Sequence, residues 1–152
     1  MLIRNILEES VRKFDEVKAV KWLKKKEIME RSYGELMENV VSTRKGLLAE
    51  GFEGKHIALI GTSSVEWMES YLGIITGCTT AVPLDAALPC EDLIDLLNRS
   101  DSVALFLSPK LKPYLDAFLE NCPKLQKVWM LQEEVEDAPA KVYGIGELRN
   151  AG

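Results

Sequence analysis

The sequence predicts an α/β fold, in which a parallel sheet carries helices on both faces and follows an N-terminal helix and a short β-hairpin. Short apolar runs alternate with helical segments of about a dozen residues, the spacing of βαβ crossovers. The run "VALFL", Val103–Leu107, has no polar face, as expected of a strand covered on both sides. The length of 152 residues suits one domain.

The N-terminal segment predicts the opening helix and the hairpin. An apolar stripe at helical spacing marks the helix: Ile3, Ile6, Leu7, Val11 and Phe14. Two β-like runs follow, Ala19–Leu23 and Glu27–Arg31, with the only basic run, Lys24 to Lys26, between them. We therefore expect Lys24 to Lys26 to form a solvated hairpin turn.

The first crossover begins at Ser32. The stretch "SYGE", Ser32 to Glu35, has the form of a capping box and predicts a helix start. Gly51 is well placed to end this helix in a left-handed conformation, and "HIALI", His56–Ile60, predicts a strand. The apolar stripe of the helix comprises Leu36, Met37, Val40, Val41, Leu47 and Leu48.

The second crossover has the same signals. Ser63 to Glu66 repeats the capping-box spacing, Gly77 ends the predicted helix, and Thr79–Leu84 predicts the next strand. The residues expected on the buried face of this helix are Trp67, Met68, Tyr71, Leu72 and Ile75.

Two further helices complete the predicted layers. Pro89 suits the first turn of one helix, with Glu91 and Asp92 near its positive end. Ser108–Pro109 repeats this start for the other, and Leu125–Leu131 predicts the last strand. The inward-facing residues expected in these helices are Leu93, Ile94, Leu96 and Leu97, then Leu111, Leu115, Phe118 and Leu119. The remaining stretch, 132–152, is more polar and is expected to be a peripheral tail that ends in the start of a helix.

Composition and charge exclude several classes of protein. A net charge of -5 disfavours a nucleic-acid partner, because phosphate binding needs clustered Lys and Arg. The three cysteines are odd in number and too widely spaced for a Cys-x-x-Cys site, a pattern typical of a reducing compartment: Cys78, Cys90 and Cys122. Charges at Arg4 and Glu8 interrupt any signal peptide, and the apolar run Tyr71–Leu84 is shorter than the ~20 residues of a membrane span. We expect a cytoplasmic chain without a membrane-spanning segment.

Loops after the predicted strands contain three candidate sites, because open parallel sheets bind ligands beyond the carboxyl ends of their strands. Gly61–Ser64 follows a strand and opens a helix, as in phosphate sites, but it lacks the glycine spacing and the Lys of a phosphate loop. Simple helix capping explains it better. Asp85 is better explained as a turn residue than as a base or metal ligand, and Ser108–Pro109 as a helix start.

Other reactive side chains also have structural explanations. His56 is the only histidine, so any Ser-His or Cys-His pair would need it, yet its place at the start of a strand favours a structural role. The acids on one helix face, Glu91, Asp92 and Asp95, are better explained as solvated charges near a helix dipole. The apolar stripe of Trp67, Met68 and Tyr71 could line a ligand pocket but is better explained as part of the core, because an amphipathic helix must bury such a stripe.

The order of these elements resembles the N-terminal region of the AMP-forming, adenylate-forming acyl-CoA synthetases and ligases. The residues that carry the resemblance run in unbroken order from about Ser32 to Ser108. They include "RSYGEL" at Arg31–Leu36, the helix ending "LLAEG", "GTSSVEW" after a strand, and "AVPLD" at Ala81–Asp85. Thr76, Thr62 and the pair Lys55–His56 depart from the commoner family residues without disturbing that order.

The resemblance implies two half-reactions. A carboxylate, with a long-chain fatty acid as one candidate, attacks the α-phosphorus of ATP to give an acyl-adenylate and pyrophosphate, and the thiol of coenzyme A then displaces AMP to give the thioester. In the family, the phosphate loop, the magnesium-binding Glu, the ribose-binding Asp and the catalytic Lys all lie downstream of the matched region. The resemblance therefore assigns no catalytic, cofactor-binding or metal-binding residue to this chain, and ATP, Mg²⁺ and coenzyme A are implied only for a larger parent protein.

We accordingly expect 1–152 to be a single partial domain that is inactive alone. Apolar surface left uncovered in such a piece predicts self-association. One alternative is a self-sufficient nucleotide- or protein-binding module of flavodoxin-like shape that uses the Gly61–Ser64 loop. Another is a truncated relative used only for oligomerisation.

Overall fold

The computed structural model describes residues 3–14, 17–24, 27–132, 134–136 and 138–151. Its helices are α1 (Ile3–Phe14), α2 (Tyr33–Ala49), α3 (Val65–Ile75), α4 (Cys90–Arg99), α5 (Leu115–Asn121) and α6 (Ile145–Asn150). Its strands are β1 (Lys18–Lys24), β2 (Glu27–Ser32), β3 (His56–Ile60), β4 (Thr80–Leu84), β5 (Ser102–Leu107), β6 (Lys127–Met130) and β7 (Val142–Gly144). A 3-10 helix, Pro109–Tyr114, precedes α5.

A five-stranded parallel sheet forms the centre of the fold. Its strand order is β4-β3-β5-β6-β7, and every neighbouring pair is parallel. In register, Ile57 of β3 is level with Ala81 of β4 and Ala104 of β5. The strands β1 and β2 pair antiparallel in a separate hairpin. The predicted α/β class, with a parallel sheet and an N-terminal hairpin, is confirmed.

Both faces of the sheet are covered by helices. Ala58 and Ile60 of β3 join a core cluster with residues of α4 and α5. Ile57 and Leu59 point to the opposite face and join a cluster with residues of α2, α3 and α6. Because neighbouring residues of one strand are buried on opposite sides, both sides must be apolar. This explains why β3 and β5 are continuous apolar runs in the sequence.

The ends of α2 follow the predicted signals. Ser32 Oγ accepts from the Glu35 N–H at 3.1 Å, and Glu35 Oε1 accepts from the Ser32 N–H at 3.1 Å, so the capping box is formed. After the helix, Gly51 has φ +81°, the left-handed conformation that favours glycine. Both predictions are confirmed.

The start and the buried face of α3 differ from the prediction. The N-cap is Ser64 rather than Ser63, and its Oγ accepts from the Trp67 N–H at 3.1 Å. No acid lies three residues after Ser64, so a second capping box is not formed. The buried residues of α3 are Val65, Glu69, Ser70, Gly73 and Ile74, while the five residues expected there are only partly buried.

Close approach of α2 explains this burial. A Cβ atom placed on Gly73 would lie 2.7 Å from Thr43 Cγ2 of α2, so only glycine fits at this contact. The face of α3 that carries Glu69 and Ser70 therefore lies against another helix instead of solvent. The pattern of apolar residues cannot indicate this, because the contact depends on a missing side chain.

The helix after β5 also begins differently. Residues 109–114 form a 3-10 helix, and the Ser108 side chain makes no capping bond to it. Pro113 lies inside this segment. Because it has no N–H, it cannot donate an α-helical hydrogen bond, and the α-helix begins only at α5. A helix therefore starts at Ser108–Pro109 as predicted, but its first part is a 3-10 helix instead of an α-helix.

The end of the chain differs from the expected polar tail. Within 132–152, the structure has the edge strand β7 and the helix α6. Val142, Ile145 and Leu148 are buried there, and Leu148 packs directly on Gly46 of α2. Because a strand of three residues inside a polar stretch gives almost no periodic signal, the sequence analysis does not find this fifth strand of the sheet.

The N-terminal elements are less buried. In α1, the side chains of Ile3, Ile6 and Phe14 are about half exposed, although Phe14 contacts the ring of Tyr33 with centroids 6.3 Å apart. Of the predicted hairpin turn, Lys25 and Lys26 lie outside the described residues. None of the helices in the described ranges has the length and apolar character needed to cross a bilayer.

Candidate functional site

Three loops meet at the carboxyl edge of the sheet and form an open cleft of about 610 Å³, here called the carboxyl-edge cleft. They follow β3, β4 and β5, so the two candidate loops, Gly61–Ser64 and the one containing Asp85, are brought together as the topology requires. The residues that line the cleft are Gly61, Thr62, Ser63, Trp67, Leu84, Asp85, Ala86, Ala87, Lys110, Leu111, Pro113 and Tyr114. A smaller neighbouring cleft of about 400 Å³ shares Thr62 and Lys110.

The loops after β3 and β5 are joined by Ser108. Its side chain is buried, and its Oγ accepts from the Thr62 N–H at 3.1 Å. Gly61 makes this contact possible, because a Cβ atom there would overlap Ser108 Oγ and lie 3.1 Å from Trp67 Cδ1. Ser108 therefore fixes the Gly61–Ser64 loop rather than capping the helix that follows it. This role has no signal in the local sequence, since the partners are 46 residues apart.

The Gly61–Ser64 loop acts mainly as a helix cap. Ser64 Oγ accepts a hydrogen bond from the Trp67 N–H, and the Ser64 carbonyl accepts one from the Met68 N–H at 3.0 Å. Both bonds are typical of the first turn of a helix. Lys110 is the one basic residue among the described residues that line the cleft. The loop offers polar atoms at the mouth of the cleft, and Lys110 offers a positive charge there.

Asp85 has the turn role that the sequence predicts. Its carboxylate is exposed, and Oδ1 accepts from the Ala87 N–H at 2.9 Å. The Leu88 N–H then donates to the Asp85 carbonyl at 3.2 Å, which closes the turn after β4. No second acid lines the cleft in the described part of the chain, so the cleft itself holds no pair of carboxylates for general acid and base work.

Trp67 forms part of one wall of the cleft and stacks on Tyr71 behind it. The rings of Trp67 and Tyr71 are stacked with centroids 5.3 Å apart and an interplanar angle of 14°. Both side chains are half-buried and pack against the core cluster on the α2 side of the sheet. Trp67 thus serves the core and also presents an apolar surface to the cleft, so the two interpretations of this stripe are compatible.

The remaining candidates lie away from the cleft. His56 lies at the amino end of β3, where its Nδ1 is 2.7 Å from the Ser100 carbonyl oxygen, consistent with a structural role. Glu91 and Asp92 are exposed in the first turn of α4, and Asp95 pairs with Arg99 at 2.9 Å. Across the residues that the structure describes, no group of three metal-ligating side chains is assembled.

The cysteines do not form an activated pair. Cys78 is exposed, Cys90 is half-buried and Cys122 is buried. Burial raises the pKa of both Cys90 and Cys122, which disfavours the thiolate that a nucleophile requires.

Sequence analysis missed a buried charge cluster, here called the Glu69 cluster: Arg31, Asn39, Thr43, Glu69 and Arg149. Glu69 is fully buried, and its Oε2 accepts from Asn39 Nδ2 at 2.8 Å and lies 3.2 Å from Arg31 Nε. Its Oε1 lies 3.6 Å from Arg149 Nη2, and Arg149 Nε donates to Thr43 Oγ1 at 3.1 Å. Burial raises the pKa of Glu69, against the hydrogen bond from Asn39 and the two guanidinium groups.

Similarity to known proteins shows the family of this chain. The model of the AMP-binding enzyme family matches residues 7–148, nearly the whole chain. The chain belongs to the AMP-binding enzyme family. The resemblance seen in the sequence is thereby confirmed, and it extends beyond Ser108 to include β6, β7 and the first part of α6. No curated protein matches the chain in sequence.

Solved structures of ligases share the fold of this AMP-binding family chain. Coronafacic acid ligase from Pectobacterium brasiliense has a TM-score of 0.87 at 20% identity, over 99% of this chain and 29% of its own. The N-terminal domain of FACL13 from Mycobacterium tuberculosis has a TM-score of 0.76 at 18% identity, over 92% and 38%. Anthranilate CoA ligase AuaEII, solved with anthranoyl-AMP, has a TM-score of 0.75 at 18% identity, over 86% and 25%. The chain therefore spans well under half the length of these solved structures.

Proposed function

We propose that this chain is the N-terminal portion of an ATP-dependent ligase that converts a carboxylic acid to an acyl-adenylate and then to a thioester of coenzyme A. The observation that carries the proposal is the family match over residues 7–148. The names of the structural neighbours support it, because they include a CoA ligase bound to an acyl-adenylate and an acid ligase. A long-chain fatty acid is one candidate substrate, as in the name of another neighbour, from Rhodopseudomonas palustris.

The described residues do not by themselves fit ATP with its magnesium ion. A triphosphate needs several cations or backbone N–H groups around it, and a magnesium ion needs free carboxylate oxygens. The carboxyl-edge cleft offers Lys110 and one exposed carboxylate, that of Asp85, whose Oδ1 already accepts from Ala87. We therefore assign ATP, Mg²⁺ and coenzyme A to a longer parent chain, and we propose that the 152 residues are inactive alone.

The reading frame of the gene provides the first test. We expect it to continue beyond Gly152 into a glycine- and serine-rich phosphate loop followed by Lys. The protein expressed to its natural stop codon should release pyrophosphate from ATP in the presence of Mg²⁺ and a panel of carboxylic acids, and hydroxylamine should trap the acyl-adenylate. A stop codon directly after Gly152, or a longer chain that never forms an adenylate, would contradict the ligase.

The isolated chain provides the second test. It should neither exchange pyrophosphate with ATP nor release it under the same conditions. Adenylate synthesis by these 152 residues would show that the chemistry resides in groups that the cleft does not reveal, and saturable nucleotide binding alone would favour the self-sufficient binding module.

We also propose that the isolated chain self-associates. Large apolar side chains that are substantially exposed occur mainly near the N-terminus: Ile3, Ile6, Phe14, Val17 and Met29, with Leu48 nearby in α2. Sedimentation velocity should show a mass that rises with concentration, and Ile6→Glu should reduce it. A monomer at all concentrations would contradict this part of the proposal. The reducing pattern of cysteines supports a cytoplasmic location, which fractionation of expressing cells would test.

A further inference from the structure

A small pocket of about 220 Å³ lies at the amino edge of the sheet, opposite the carboxyl-edge cleft. It is enclosed by the C-terminal ends of α2 and α3 and by α1, and we call it the amino-edge pocket. The residues that matter for its chemistry are Arg4, Arg44, Lys45, Leu48, Glu53 and Gly77. Neither the family match nor the candidate loops of the sequence analysis assign a function to this part of the molecule.

The charges around the pocket are unbalanced. Three cations and one carboxylate line it, in a chain whose net charge is -5. Arg4 is partly compensated, because its Nε lies 3.0 Å from Glu8 Oε1. Arg44 and Lys45 have no carboxylate within 4.0 Å in the part of the chain that the structure describes, and the carboxylate of Glu53 does not reach them. The pocket therefore presents two positive charges without a direct ion pair, and Glu8 acts on that of Arg44 only from beyond 4.0 Å.

Arg44 is held in place without an acceptor. A Cβ atom on Gly77 would lie 2.9 Å from Arg44 Cγ, so glycine allows the arginine stem to lie across the end of α3. The Nη1 atom at its tip is buried and has no hydrogen-bond partner among the described residues. Burial lowers the pKa of Arg44, the charge of Arg4 adds to this effect, and the charge of Glu8 opposes it. An unpaired buried donor is unfavourable, and a small rotation of the guanidinium group towards the pocket would let an incoming oxyanion satisfy it.

Helix capping does not explain this arginine. Two of the last carbonyl groups of α3 already have two donors each. The Leu72 carbonyl accepts from the Thr76 N–H at 3.0 Å and from Thr76 Oγ1 at 2.6 Å. The Ile74 carbonyl accepts from the Gly77 N–H at 3.3 Å and from Thr79 Oγ1 at 3.0 Å. Arg44 donates to neither of these carbonyl groups, although binding to the last carbonyls is the usual structural role of a cation at a helix C-terminus.

We propose that the amino-edge pocket binds a small organic anion, whose oxyanion group pairs with Arg44 and Lys45 and whose short apolar body contacts Leu48. The apolar contact is part of the proposal because Leu48, although it belongs to the apolar stripe of α2, is 55% exposed at the pocket. The limited volume selects a body of only a few carbon atoms. This inference does not depend on the proposed ligase activity.

Titration of the 152-residue chain with hexanoate, followed by amide chemical shifts in NMR, tests the proposal. Hexanoate should shift the signals of Leu48, Gly77 and Cys78 saturably, whereas hexanamide, which has the same shape without the charge, should not. Inorganic phosphate should bind more weakly because it lacks the apolar part. Absence of saturable shifts, equal binding of hexanamide, or tighter binding of phosphate would overturn the proposal. Shifts confined to Thr62 and Asp85 would overturn it too, and would instead indicate an acid site in the carboxyl-edge cleft.

Matched variants distinguish the loss of a specific binding site from a change in the overall charge of the protein. Arg44→Met should weaken hexanoate binding roughly tenfold or more, since it removes a charge-assisted hydrogen bond. Gly77→Ala keeps every charge but displaces the arginine stem, so it should also weaken binding. Arg99→Met removes the same charge from α4 on the other side of the sheet and should leave binding unchanged. An equal loss in Arg99→Met, or no loss in Arg44→Met, would overturn the proposal. If Arg44→Met fails to fold, Gly77→Ala and Lys45→Met give the same decision.

Discussion

The carboxyl-edge cleft and the Glu69 cluster use polar side chains in opposite ways. In the cleft, Asp85 and Lys110 are exposed and their charges are compensated mainly by water. In the cluster, one fully buried carboxylate is surrounded by two arginines and an asparagine. The cleft can therefore lose a charge at little cost, while the cluster cannot, because its remaining charges would stay buried without a counter-ion.

The two regions also differ in what they connect. The cleft is bordered by three consecutive loops of one edge of the sheet. The cluster joins distant parts of the chain, with Arg31 on the hairpin, Asn39 on α2, Glu69 on α3 and Arg149 on α6. We infer that the cluster fixes the position of the hairpin and the last helix against the α2–α3 pair. Substitutions in the Glu69 cluster should therefore mainly reduce stability, whereas substitutions of exposed charges in the cleft should mainly affect ligand binding.

The largest effect is expected for Glu69→Ala. It leaves Arg31 and Arg149 without their buried counter-ion, so the free energy of unfolding should fall by roughly 3–5 kcal/mol. Urea unfolding monitored by circular dichroism measures this. The matched control is Glu66→Ala on the same helix, where the side chain is only partly buried and the loss should stay below about 1 kcal/mol. Equal losses in the two variants would show that the buried carboxylate has no special role.

A smaller loss is expected at the one tight contact of the cleft. Gly61→Ala would force a methyl group against Ser108 Oγ and Trp67, and should cost about 1–3 kcal/mol of stability. Ser108→Ala removes the atom in the way, so the double variant should lose less than the sum of the two single losses. A strictly additive double variant would show that the contact between Gly61 and Ser108 does not join the two loops.

The capping box at the start of α2 gives a pH dependence. The hydrogen bond from the Ser32 backbone lowers the pKa of Glu35 below its ordinary value of 4.5. The unfolded chain therefore takes up the proton first, so the stabilisation is fully present above pH 4.5 and is lost as the pH falls through the lowered pKa. Unfolding measured from pH 7 down to acid should show a smaller loss for Glu35→Gln than for the parent chain. Parallel pH profiles would contradict this origin.

The sequence predicts those parts of the fold that depend on local patterns. The strands β3 and β5 are apolar runs, and the Ser32 capping box is a spacing of four residues, so both can be found from the sequence alone. The family resemblance is also local, because it consists of short motifs in a fixed order.

The parts that the sequence does not predict depend on contacts between distant residues. Burial of Glu69 requires the close approach of Gly73 to Thr43, and a charged residue on a helix is otherwise expected in solvent. The bond between Thr62 and Ser108 likewise requires the finished sheet. Both features depend on contacts between residues that are distant in the sequence, and the periodicity of the sequence does not indicate such contacts.

The smallest effect is expected at Asp85, and it decides whether this residue belongs to the turn or to a ligand site. Asparagine retains a side-chain oxygen that can accept from the Ala87 N–H, so Asp85→Asn should change the free energy of unfolding by less than about 0.5 kcal/mol. Asp85→Ala removes the acceptor and should cost somewhat more, up to about 1 kcal/mol. Thermal unfolding of both variants provides the comparison. If Asp85→Asn were as harmful as Asp85→Ala, the negative charge itself would be required, and the cleft would need a cation that the turn does not explain.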